Sequence, residues 1–280
     1  MRRPTGVACS FHSSRSGCRA AALAGLVGPW LYLRLGWQST VVSVGALMML
    51  SALALQPMVR RFDNDLDRSA RTGGLSVVAP LQAVLNSAPL RRLAWVSVFY
   101  AMTQLCLLTF LVSYLHLSHG LSLSASAAVL ATAQLASMAG RPFWGHMADL
   151  WGNPARLLGL MGLGMGASCW ALAALPAQPS LWWVYLVCIA CAATAVAWNG
   201  VFYAELVRAA PQDQLATVTG GTQFLTFLGA MIGPVLFSQV VSWRGGDYGF
   251  AFALVAVLPV LAGASMLLAE ARSGPQPAPG

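Results

Sequence analysis

Seven stretches of this 280-residue chain are each long and apolar enough to cross a lipid bilayer, and little is left between them from which a soluble domain could be built. They run over 38–58, 93–117, 121–143, 155–175, 181–207, 215–241 and 248–269, at or near the roughly 20 mostly apolar residues that a spanning helix needs. An eighth stretch, 20–35, holds Gly28-Pro29 and is barely long enough to cross, so it reads as the truncated end of a span. Lipid offers the backbone no hydrogen-bond partner, so a spanning segment satisfies itself as a helix. The expected fold is therefore all-α, a polytopic transmembrane helical bundle. The charged share of 9% agrees, since soluble domains carry about 25%.

The net charge of +8 raises the question of nucleic acid. All sixteen basic residues are Arg, scattered singly or in pairs between apolar runs, with no basic face interleaved with aromatics. That pattern excludes a nucleic-acid partner and points instead to the lipid bilayer. Alternating spans put Arg60, Arg61, Arg68, Arg71, Arg91, Arg92, Arg141, Arg156, Arg208 and Arg272 on one side, against Arg34 and Arg244 on the other. Arginine accumulates on the cytoplasmic side, so the stretch 60–92 and the C-terminus are expected there.

Pro176-Ala-Gln-Pro179, Pro211-Gln-Asp-Gln214 and Trp243-Arg-Gly-Gly-Asp-Tyr248 break the apolar pattern, because proline, glycine and clustered polar residues end helices. The expected organisation is an atypical segment 1–19, helices of a first group over 20–59, a cytoplasmic linker or short surface helix over 60–92, a six-helix half over 93–270, and a disordered tail 271–280. The first nineteen residues are rich in Arg and Ser and lack an apolar core. They read as a start site or shifted frame that entered an existing gene inside a span, with a targeting peptide as the alternative. Gly28-Pro29-Trp-Leu31-Tyr32 echoes Gly233-Pro234-Val-Leu236-Phe237, as two parallel repeats would.

Gly145-His-Met-Ala-Asp149-Leu-Trp-Gly152-Asn-Pro-Ala-Arg156 is expected in a short loop between two spans. It resembles the loop signature of the major facilitator superfamily, except that Pro154 stands where the first basic residue is usual. Gly145 and Gly152 would let helix ends approach and turn. Asp149 would cap a helix N-terminus, and Arg156 would pair with it or hold phosphate headgroups. Trp198 to Arg208, and Thr219 to Gln223 with Gly229 to Pro234, resemble the tenth and eleventh helices of bacterial members. The resemblance covers about 25–270. It implies transport of a small-molecule substrate by alternating access between two six-helix halves, often proton-driven, in the plasma (bacterial inner) membrane. It also implies that the first half lacks its first four spans, so that the chain alone transports nothing unless a complementary membrane half completes it.

Polar groups within spans are the natural candidates for function, because each is costly in hydrocarbon. Tyr100, Gln104, Asn199 and Gln223 are the substrate-pathway candidates, with helix-to-helix contacts as the alternative. Glu205 is the coupling candidate, with structural pairing to Arg208 as the alternative. Gly145, Asp149, Gly152 and Arg156 form the conformational-switch loop. Gly233 and Pro234 are hinge candidates, and Gly162-xxx-Gly166 and Gly229-xxx-Gly233 fit close helix packing. His116 and His119 are expected as solvated loop residues. No Arg lies mid-span, so the substrate is neutral, cationic or lipophilic, or its cation belongs to the other half. Cys188 and Cys191 read as small apolar filler, with a redox or zinc site as the alternative. No cofactor or metal is implied, and the spans hold no paired catalytic groups, so no enzyme is expected. A non-transporting half-size module that assembles with another membrane chain is the alternative function.

Overall fold

Side-chain caps and left-handed glycines set several helix boundaries in the computed structural model, which describes residues 38–39, 42–43, 45–56, 78–211 and 214–273. The chain divides into two units, Met1–Leu75 and Ser76–Gly280. In the first unit the described part is chiefly one short apolar helix, α1 (Gly45–Gln56). The segment 1–19, the partial span 20–35 with its Gly28-Pro29 echo, most of the stretch 60–92 and the end of the tail lie outside the described residues.

The second unit holds α2 (Val78–Asn86), α3 (Ala88–His119), α4 (Leu123–Trp151), α5 (Pro154–Ala173), α6 (Leu181–Ala195), α7 (Asn199–Ala209), α8 (Leu215–Trp243) and α9 (Tyr248–Ser273). With α6 and α7 taken as one path, six helices are long and apolar enough to cross a membrane. They fall on the six windows expected between 93 and 269, and the described residues hold no strand. The chain is an all-α, multi-pass membrane bundle.

Local chemistry explains where these helices start and stop. Ser122 accepts the Ala125 N–H at 3.2 Å and opens α4, and Asp247 accepts the Phe250 N–H at 2.9 Å and opens α9. Gly152 ends α4 with φ 61°, in the left-handed region where a Cβ would be strained. Asn153 then caps α5, with Pro154 at its first turn.

One expectation differs. The path over 181–207 is not one continuous helix, because a turn at 196–198 separates α6 from α7. Proline is not responsible. The Trp198 side chain is drawn to a polar partner on α3, and Asn199 reaches back to the Val196 carbonyl at 3.4 Å. Conversely, α8 runs unbroken through Gly233 and Pro234.

Small residues decide which helices meet. α5 packs along α9, α3 along α8, and α4 along α6. A Cβ on Gly162 would fall 2.6 Å from the Pro259 carbonyl oxygen, and one on Gly263 would fall 2.5 Å from that of Gly159. The α5–α9 seam is thus backbone against backbone, the contact that drives helix association in lipid. Gly229 and Gly233 do the same for α8 against Val98 and Met102 of α3. Thr226 adds a buried hydroxyl bond to Ser97 at 2.8 Å. Exposed Phe224, Phe227, Met231 and Val235 recur at helical spacing along α8, an apolar surface that suits lipid and would not suit water.

Two tyrosines tie α3 to its parallel neighbour α5. The Tyr100 hydroxyl donates to the Leu158 carbonyl at 2.7 Å, and the Tyr114 hydroxyl donates to that of Leu172 at 2.8 Å. A carbonyl has two lone pairs, so each accepts this bond beside its helical one.

Candidate substrate pathway

Tyr100 and Gln104 stand one helical turn apart on α3, a spacing that puts both on one side of the helix. The Tyr100 ring is fully buried. Its hydroxyl is turned toward α5, and its ring meets the Trp198 indole edge-on with centroids 5.5 Å apart. Gln104, half-buried, accepts the Trp198 indole N–H at 2.9 Å. A buried indole needs an acceptor, and α3 supplies one at the level of the turn between α6 and α7. Phe202 also meets Trp198 edge-on, with centroids 5.5 Å apart.

Asn199 follows Trp198 directly and is half-buried. Its contact with Val196 is long at 3.4 Å, so most of its hydrogen-bonding capacity is uncommitted. Three of the four pathway candidates, Tyr100, Gln104 and Asn199, therefore gather around the 196–198 turn. Gln223 does not join them: it is half-buried on α8, and no hydrogen bond links it to the other three among the described residues. Its neighbour Thr222 belongs to the buried face of α8, and one residue is a rotation of about 100°. Trp198, which organises the cluster, stands out in the sequence only as the first residue of the longer stretch Trp198 to Arg208. The signal that finds it is an indole followed by Asn-Gly inside a span.

Glu205 lies on α7 and is buried, and Arg208 grips it with two bonds of 2.8 Å from Nε and Nη2. The geometry is the bidentate fork of a guanidinium on a carboxylate. Close by, the Asn153 amide donates to the Glu270 carboxylate on α9. Asn153 thus serves twice, since its Oδ1 also accepts the Arg156 N–H at 3.1 Å. The sequence signal was Asn before Pro at a helix start.

The expected switch loop is smaller than its motif. Gly145 and Asp149 are inside α4, and only Gly152 and Asn153 make the turn. Asp149 is exposed and makes no cap bond among the described residues; Asn153 has that role, because it stands at the N-cap of α5 while Asp149 is still inside α4. No ion pair joins Asp149 to Arg156 among the described residues. A Cβ on Gly145 would meet nothing within 4 Å, so this glycine makes no close approach in the described bundle.

His116 is exposed as expected, though on a helix and not in a loop, and His119 differs further. Both are in the last turn of α3. His119 packs edge-on to Tyr114 at 4.7 Å instead of facing water. Cys106, Cys169, Cys188 and Cys191 are buried thiols, and the neighbour of Cys191 is Cys169, at 3.3 Å between sulfurs.

Among curated proteins no relative matches the chain. The family profile described as Major Facilitator Superfamily matches residues 18–234, most of the chain, with four of its six described spans whole and the fifth as far as Pro234. With that match laid over a multi-pass helical bundle, the chain belongs to the Major Facilitator Superfamily, a family of membrane transporters.

Proposed function

We propose that the chain serves secondary active transport of a small neutral, cationic or lipophilic solute by alternating access, coupled to protons. One observation carries this reading: the span Leu181–Ala209 is interrupted at 196–198, and there Gln104 of α3 accepts the indole N–H of Trp198, next to Asn199 at the start of α7. Broken helices at mid-membrane expose backbone and side-chain polar groups to a cavity, which is how transporters build solute sites. Gln104 and Asn199 are the proposed solute contacts, with Tyr100 shaping the wall and Gln223 facing the pathway from α8. Glu205 is the proposed coupling carboxylate, released when the Arg208 pair opens. Gly152 and Arg156 mark the switch turn, with Asp149 and Gly145 just before it on α4, and Gly233 and Pro234 are the proposed hinge. The arginine-rich end is proposed to face the cytoplasm of a bacterial inner membrane.

A second reading follows from the six described spans. Alternating access needs two walls, and a six-helix module that binds solute without moving it would require a complementary membrane half. Both readings meet one test. Purified chain is screened for solutes that raise its thermal unfolding midpoint. Each hit is then offered to proteoliposomes under an imposed pH gradient. Stabilisation lost in Gln104→Leu, together with proton-linked solute entry, supports the transporter as it stands. Stabilisation without entry supports the half-module. No stabilisation by any solute and no entry would sink the pathway itself.

A further inference from the structure

A cleft of about 360 Å³ opens between the first turns of α3 and the facing side of α9. Arg91, Arg92, Trp95 and Phe99 line it from α3, and Leu261 and Ser265 line it from α9. Its polar groups are confined to one end. Arg91 is held by a bond from Nη1 to the Leu85 carbonyl at 2.7 Å, which leaves its other N–H groups available. Both arginines are exposed, and neither forms an ion pair among the described residues.

The opposite end is apolar. Trp95, about half exposed, stacks on Phe99 with centroids 6.0 Å apart, and Leu261 presents its side chain from α9. Arg91 to Phe99 is eight residues, or about 12 Å along the helix. That length leads from the headgroup layer into hydrocarbon. Tryptophan at such a depth is an interfacial anchor.

Charge at the mouth and grease along the wall require a ligand with both. A free anion would use only the guanidinium end, and an apolar molecule would leave two charges unmatched. Guanidinium forks fit a phosphodiester, and basic pockets between spanning helices select anionic headgroups. We propose that this cleft binds an anionic phospholipid, with its phosphate on Arg91 and Arg92 and an acyl chain along Trp95, Phe99 and Leu261.

Native mass spectrometry of the purified full chain tests this, in micelles supplied with equal phosphatidylglycerol and phosphatidylcholine. Retained phosphatidylglycerol is expected to exceed phosphatidylcholine by about thirtyfold, as two interfacial cations would give. The double variant Arg91→Gln/Arg92→Gln brings that ratio near one, and Arg244→Gln at the opposite end leaves it unchanged. Leu261→Trp, which fills the tail end without altering charge, lowers phosphatidylglycerol retention. Equal retention of both lipids by the unaltered chain, or a preference that survives the double variant, overturns the site. An equal fall in Arg244→Gln overturns it as well, by showing bulk charge at work. So does displacement of the lipid by glycerol phosphate with no effect of Leu261→Trp, which would mark a bare phosphate site.

Discussion

The Trp198 indole donates to Gln104 across 2.9 Å, joining the turn between α6 and α7 to the middle of α3. Neither partner has a substitute among the described residues. Trp198 is buried, so removing its acceptor strands a donor in an apolar surround. Gln104→Leu is expected to destabilise the bundle by about 1–3 kcal/mol, read as a lower thermal midpoint in detergent. Trp198→Phe on top of it should cost less than the two changes added, with a coupling of about 0.5–2 kcal/mol. Additive losses would mean that the bond contributes nothing.

Glycines 162 and 145 should behave in opposite ways. A Cβ at Gly162 would strike the Tyr100 hydroxyl and the Pro259 carbonyl, whereas one at Gly145 meets nothing within 4 Å. Gly162→Ala is expected to cost about 1–3 kcal/mol through overpacking. Gly145→Ala should instead gain up to about 1 kcal/mol from helix propensity. Paired melting curves decide it. If Gly145→Ala abolishes flux without loss of stability, its glycine serves switching.

Cap residues give a similar contrast. Asn153→Ala removes the α5 cap and the partner of Glu270, for an expected loss of about 1 kcal/mol or more. Asp149→Asn touches no cap and should stay within about 0.5 kcal/mol of the parent. The same melting assay reads both.

The Glu205–Arg208 pair is asymmetric. The Glu205 side chain is 8% exposed and that of Arg208 46%. Arg208→Gln leaves a buried carboxylate without its cation, while Glu205→Gln leaves a cation that can reach solvent. Arg208→Gln is therefore expected to be the more destabilising of the two. Glu205→Gln should separate functions: solute binding persists, while proton-linked entry is lost. Entry that remains proton-linked in Glu205→Gln removes this carboxylate from coupling.

Length and apolarity made the spans legible, because hydrocarbon thickness imposes a minimum run that few other constraints mimic. The extension of α4 to Trp151 was not legible. Arg141 and Pro142 look like a boundary, yet Pro142 sits inside the helix. The turn at 196–198 was hidden for the opposite reason: Val-Ala-Trp carries no proline or glycine, and a tertiary bond to Gln104 marks it instead. Polarity within a span marked Tyr100 as a pathway candidate but not which helix receives its hydroxyl. The switch motif was readable as residues, but the cap fell to Asn153, where the first turn of α5 needed it.

The bonds from Tyr100 to Leu158 and from Tyr114 to Leu172 are fourteen residues apart on both helices, about 21 Å along their axes. Two ties that far apart resist both sliding and swivelling between α3 and α5, each at about 1 kcal/mol for a net hydrogen bond. A rearrangement that separates these two helices has to break both, whereas bending at the 196–198 joint between α6 and α7 breaks neither.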